Sequence, residues 1–176
     1  MQSIYLAGGC FWCVEAVYLS VKGVISVMPG YMGGMNDNPT YEEICKGDTG
    51  HAEVIRCEYN EKKIILEKIL NIFFLTHDPT QLNRQGNDIG SQYRSAIFLS
   101  NVEQMKTAEL CLAKAKLFYK KKLYTEISSN VVFFPAEDYH QDYYKKNINS
   151  GYCNALIPPK LRKLKEVFSE DFKEYI

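Results

Sequence analysis

Cys10 follows Gly8-Gly9 and precedes the aromatic pair Phe11-Trp12, where a short apolar run gives way to a helical pattern. A helix N-terminus offers free N–H groups and the positive end of the dipole, so this position is expected to lower the thiol pKa and favour the nucleophilic thiolate. Position alone leaves a second reading open, a small buried residue under a tight turn. Cys13 lies one turn further along the same face and completes a C-x-x-C spacing, used by redox pairs and by half of a zinc site. It reads equally as a core residue beneath the sheet. A structural zinc site needs a second close pair, whereas Cys45, Cys57, Cys111 and Cys153 are scattered and His51, His77 and His140 are isolated, so no metal is expected. Cys57 and Cys111 fall on apolar faces and Cys45 reads as a helix-end packing residue. Cys153 lies in the polar segment Asn-Ser-Gly-Tyr-Cys-Asn, where packing gives little reason for a cysteine, and is expected to be a mobile thiol that reaches another sulfur. Among the acids, Glu53 opens a strand after Thr49-Gly50-His51-Ala52, and Asp88 sits in a long polar loop shortly before Tyr93. A single carboxylate is most often a solvated surface group, and spacing alone assigns neither a role.

The elements that must carry these side chains are legible from periodicity. Residues 3–7 form a short strand, Gly8-Gly9 a sharp turn, and 11–21 a helix that Cys10 introduces. A second strand over 24–28 is ended by Pro29-Gly30, and 30–40, rich in Gly, Asn and Pro, is a loop. Residues 53–59 alternate as a half-buried antiparallel strand, followed by a helix over 64–74. The polar stretch 76–93 is longer than most connections inside a domain, and such loops are usually functional. A strand over 94–99, a helix over 102–120, an extended segment over 124–134, a short helix near 136–146, a glycine-containing tail and a basic helix from Pro159 onward complete the chain. Helices and strands mix without regular βαβ alternation, which implies an α+β fold with a largely antiparallel sheet.

The chain of 176 residues is expected to be one domain over 1–176. Hydrophobic residues at 46% and charged residues at 24% argue against disorder. Lys+Arg and Asp+Glu balance at 21 each, so no global field gathers nucleic acid or anionic lipid. The longest apolar stretch, 64–75, is interrupted by Glu67, Lys68 and Asn71 and is too short for a membrane span. The first residues lack a basic segment and a long apolar one, so no secretory signal is expected and the cytoplasm is the natural compartment.

Read together, six blocks resemble the A-type peptide methionine sulfoxide reductases. They are Gly9-Cys10-Phe11-Trp12, Gly30-Tyr31-Met32-Gly33-Gly34, Thr49-Gly50-His51-Ala52-Glu53, His77-Asp78-Pro79-Thr80 with Asn83-Arg84-Gln85-Gly86, Gln92-Tyr93-Arg94-Ser95, and Ala136-Glu137-Asp138-Tyr139-His140-Gln141. They run in family order along nearly the whole chain. The resemblance implies a two-layer α/β plait with a ferredoxin-like core and an irregular C-terminal extension. It implies reduction of the S epimer of methionine sulfoxide, free or in proteins, by a monomer with no bound cofactor. Cys10 matches the nucleophile, Glu53 the acid near the sulfoxide oxygen, and Phe11 and Trp12 the pocket for the ε-methyl. Tyr41, Asp88 and Tyr93 match surrounding hydrogen-bonding groups, Tyr152 is expected to bind substrate with Phe11 and Trp12, and Cys153 matches the resolving cysteine. Thioredoxin is the implied reductant. Cys13 departs from the family's common glycine, and the Leu156-Ile157-Pro158-Pro159-Lys160 run departs from the glycine-rich tail of some members, which leaves Cys13 as an alternative resolving thiol. Two rival readings are a cysteine hydrolase with His51 or His140 as base, and a zinc or redox-sensing module on Cys10 and Cys13.

Overall fold

The computed structural model describes residues 1–175. In chain order the elements are β1 (Gln2–Gly8), α1 (Phe11–Leu19), β2 (Val24–Met32), α2 (Tyr41–Lys46), β3 (Ala52–Tyr59), α3 (Leu66–Thr76), β4 (Arg84–Gln85), β5 (Asp88–Ile89), β6 (Ser95–Leu99), α4 (Gln104–Tyr119), β7 (Glu126–Ser129), β8 (Phe133–Pro135), α5 (Tyr143–Lys146) and α6 (Gly151–Val167). One six-stranded sheet has the order β7-β6-β1-β3-β2-β8, and β4 with β5 makes a small separate hairpin. Every pairing in the large sheet is antiparallel except β6 with β7. The α+β class and the largely antiparallel sheet read from the sequence are what the fold shows. Among the described residues no helix is long and apolar enough to cross a membrane.

α1 has apolar residues all round and is buried on nearly every side, which a helix pressed between a sheet and another helix requires. Tyr18 on α1 donates its hydroxyl to the Ile69 carbonyl of α3 at 2.8 Å, locking the two helices of the main core together. At its N-terminus, Gly9 has φ +92°, and a Cβ there would lie 2.6 Å from the Gln85 side chain, so both backbone and space demand glycine before Cys10.

Several elements differ from their sequence reading. β2 runs through Pro29-Gly30 to Met32, because a proline on this strand gives up only one N–H and Gly30 lets the Phe133 ring of β8 close over it. The segment read as a loop gives way to α2, capped by a reciprocal Thr40–Glu43 capping box, a Thr-x-x-Glu signal present in the sequence. The extended stretch 124–134 splits into β7 and β8 on opposite edges of the sheet, and the short helix near 136–146 becomes a 3₁₀ turn, Asp138–His140, followed by α5. The largest difference is α6, which begins at Gly151 and carries Pro158 and Pro159 inside it. Prolines favour a helix's first turn, which is why they read as its start. Burial of Cys153, Ile157 and Leu164 along one face holds the helix through them.

Candidate active site

Cys10 is the N-cap residue of α1, at the end of β1, and is only 6% exposed. The first helical N–H, that of Phe11, donates to Glu53 Oε2 at 2.9 Å. Glu53 is the second residue of β3, paired in register with Tyr31 of β2, and is 2% exposed. Strand register and helix start therefore bring together a thiol and a carboxyl group 43 positions apart in sequence.

Around them Phe11, Trp12, Tyr41, Asp88, Tyr93 and Tyr152 close a cavity of about 130 Å³. That is well below the roughly 300–1,000 Å³ of a drug-sized site and suits the end of one side chain. Each wall has a positioning device. Tyr41 opens α2, and its N–H donates to Glu137 Oε1 at 2.7 Å. The 76–93 loop, read as functional, is shaped by mutual bonds between Asp78 and Gln85 and by the β4–β5 hairpin, which presents Asp88; Tyr93 ends a 3₁₀ turn, Ser91–Tyr93. Tyr152, in the first turn of α6, donates its hydroxyl to Asp88 Oδ2 at 2.5 Å and stands edge-on to Trp12.

Burial pushes the Glu53 carboxyl well above the usual carboxylate range; the neighbouring Cys10 and Asp88 add to the rise, and the Phe11 N–H opposes it. Burial likewise pushes the Cys10 thiol up, with Cys13 adding to it, while the Tyr152 hydroxyl and the Cys13 N–H pull the other way. The expectation of a thiol lowered by the helix terminus is thus corrected. Desolvation wins, and the Phe11 N–H that would best stabilise a thiolate is taken by Glu53. Burial first, and the nearby Glu53 next, raise Tyr41 and Tyr93, keeping both hydroxyls protonated. Burial thus raises the Glu53 carboxyl and the Tyr41 and Tyr93 hydroxyls around the Cys10 sulfur alike.

Cys13 and Cys153 do not line the cavity. They lie beneath it in one buried cluster with Cys10, Ala16, Tyr144 and Ile157, and all the cysteines are free thiols. Cys153 is therefore not in a flexible polar segment: it is fully buried in the first turn of α6. Cys45 is exposed rather than packed. Among the described residues no group of three His, Cys, Asp or Glu side chains could hold a metal ion.

His51 and His140 serve as props. His51 accepts the Gly34 N–H on Nδ1 at 3.1 Å and faces the Asn36 carbonyl with Nε2, which orients the glycine-rich loop. His140 accepts the Trp12 indole N–H on Nδ1 at 3.1 Å, so its proton sits on Nε2, 3.7 Å from Glu137. Neither histidine lines the cavity beside Cys10. The sequence did not mark Tyr143 as part of this wall, yet its ring stacks on Trp12 with centroids 3.7 Å apart and planes 7° apart.

The family described as peptide methionine sulfoxide reductase (PMSR) matches residues 2–172 of the chain. The chain belongs to this family. Peptide methionine sulfoxide reductase MsrA of Acinetobacter baumannii (strain SDF) is 51% identical over 174 residues, 99% of each chain. Reduced Mxr1 from Saccharomyces cerevisiae superposes with a TM-score of 0.79 at 34% identity, over 85% of this chain and 87% of that one. Mxr1 in complex with Trx2 superposes with a TM-score of 0.56 at 24% identity, over 81% and 84%. The six sequence blocks that suggest this reductase family fall on the cavity walls and on the turns that brace them.

Proposed function

We propose that the chain reduces the S epimer of methionine sulfoxide, free or in proteins, with Cys10 as nucleophile and Glu53 as acid. The observation that carries this reading is a buried carboxyl, pushed above the usual carboxylate range by its burial, sharing a side-chain-sized cavity with a thiol and an aromatic wall. A sulfoxide oxygen leaves sulfur poorly until it is protonated. The Phe11 N–H occupies Glu53 Oε2, so the carboxyl proton rests on the other oxygen, free to meet the substrate. Cys10 sulfur attacks the sulfoxide sulfur as its oxygen takes the Glu53 proton, and the thiol proton restores the acid. The oxygen then moves from the methionine sulfur to the Cys10 sulfur, directly or by loss and re-addition of water, as the S–S bond of the adduct breaks; methionine leaves with two more electrons, and Cys10, oxidised by two, holds the oxygen as a sulfenic acid.

Cys153 then attacks that sulfur, releasing water and forming a disulfide. Its place in the Cys10 cluster supports this role, as does the first turn of α6, which starts at an exposed glycine and has no side-chain cap. Opening this turn would break the Tyr152–Asp88 bond and free Cys153 toward Cys10. An external dithiol must reduce the disulfide by exchange, and we assign a thioredoxin. Mxr1, 34% identical to this chain, is seen with Trx2. The core order β6-β1-β3-β2, with α1 and α3 as crossovers, supports a ferredoxin-like plait as the scaffold. Six free thiols suit a reducing cytoplasm, where the chain acts as a monomer.

The test is turnover of separated epimers with dithiothreitol or thioredoxin. A pocket that fixes the methyl against Trp12 and the oxygen against Glu53 leaves one face of the sulfur to Cys10, so the R epimer is expected to be slower by about 10²-fold or more. Equal rates on both epimers would overturn the reading. Cys153→Ser is expected to release one methionine per enzyme and then stop, whereas Cys13→Ser cycles at near the normal rate. Mass mapping after one equivalent of sulfoxide decides between them: a Cys10–Cys13 bridge with Cys153 still alkylatable reverses the assignment.

A further inference from the structure

We infer that Glu15 is a positioning residue for methionine sulfoxide binding: it ties the 142–143 backbone to α1 and so holds the Tyr143 ring on Trp12. The inference rests on the reading of Trp12 as a wall of the substrate cavity. Glu15 lies inside α1, is 2% exposed, and has no role in the proton and electron transfers above. Among the described residues no cation pairs with it. A buried carboxylate without a counter-ion is costly unless its oxygens are hydrogen-bonded. Here both are: Oε1 accepts the Asp142 N–H at 2.7 Å and Oε2 the Tyr143 N–H at 3.2 Å. Burial nevertheless pushes the carboxyl up to about 7, against the pull of those two donors. A group kept under that penalty needs a reason.

Gln141 Nε2 donates to the Pro29 carbonyl and the Tyr175 hydroxyl to Asp142 Oδ1, but it is Glu15 that takes the Asp142 and Tyr143 N–H groups and so ties the start of α5 to α1. Asp142 adopts φ +53°, a left-handed conformation that non-glycine residues keep only when their surroundings impose it. α5 spans only Tyr143–Lys146, far too short to be stable alone. Glu15 and Trp12 are three residues apart on α1 and share one face, so the tether lies beside the ring that Tyr143 covers. Two of the partners of Trp12, Tyr143 on its face and His140 at its indole N–H, come from the stretch whose 142–143 backbone Glu15 holds.

Trp12 is the only tryptophan, so its emission reports the stack directly. Glu15→Gln, Tyr143→Leu and the double variant should be compared with wild type on an S-sulfoxide peptide. Loss of the stack is expected to raise KM about three- to tenfold in each single variant, with kcat within about twofold. Trp12 emission should shift to the red and become more open to acrylamide. If Glu15 acts through Tyr143, the double variant is no worse than the weaker-binding single one. Should Glu15→Gln not fold, Glu15→Met removes the acceptors together with the buried charge and takes its place. Additive KM effects, or lowered stability with KM and emission unchanged, would overturn the inference. A wild-type protein that turns over neither epimer overturns the catalytic reading instead; the emission shift then decides alone whether Glu15 holds Tyr143.

Discussion

Cys10→Ser is expected to abolish sulfoxide reduction, a loss of roughly four orders of magnitude or more, while the fold stays intact. Two arguments converge. The serine hydroxyl is far less acidic than a thiol, and the neighbouring Glu53, pushed up by burial, is disposed to give a proton rather than to take one. More decisively, reduction of the substrate needs a group that gives up two electrons and accepts the oxygen, and a hydroxyl has no counterpart of the sulfenic acid. Stability should change by less than about 1 kcal/mol, because serine is a favoured N-cap and α1 has no side-chain cap at present. The measurements are single-turnover release of methionine and a urea transition. Appreciable turnover by a folded variant would remove Cys10 as the nucleophile.

The residues of that cavity were legible in the sequence, but their physical state was not. Cys10, Phe11 and Trp12 stand together after two glycines, and Glu53 opens a strand, so types and order suffice to pick them out. What spacing cannot supply is the direction of the Phe11 N–H, which depends on where β3 lies beside β1 and β2. Hence position in the sequence assigns the helix terminus to the thiol, whereas the fold gives it to the acid. The same limit explains α6. Two prolines are strong local signals, and burial of Cys153 and Ile157 beneath α1 is a tertiary one that overrides them. Glu15 and Trp12 meet partners 127 or 128 residues away, beyond the reach of any local pattern. α2 is a different case, since its Thr40–Glu43 capping box is a purely local signal.

Glu53→Gln is expected to slow the chemical step about 10²–10⁴-fold, the usual worth of a positioned general acid. The amide keeps the shape of the carboxyl, and its oxygen can still accept the Phe11 N–H, so the cavity should persist while the transferable proton is lost. The pH profile separates this from a general loss of fit. In the wild type kcat/KM should fall as pH rises through the raised Glu53 pKa, because the carboxylate form has no proton to give; the glutamine variant should lack that descending limb. Stability gives an independent sign. A carboxyl whose folded pKa is raised binds more protons folded than unfolded, so it costs the wild type stability as pH climbs from the ordinary glutamate value through the folded one. Glutamine carries no such penalty, so the variant should gain on the wild type across that window. If single-turnover rates stay within about threefold of wild type and the alkaline limb survives, the proton comes from elsewhere. Tyr41 and Tyr93, both half-buried near Glu53 with their hydroxyls raised by burial and by that neighbour, are then the donors to replace.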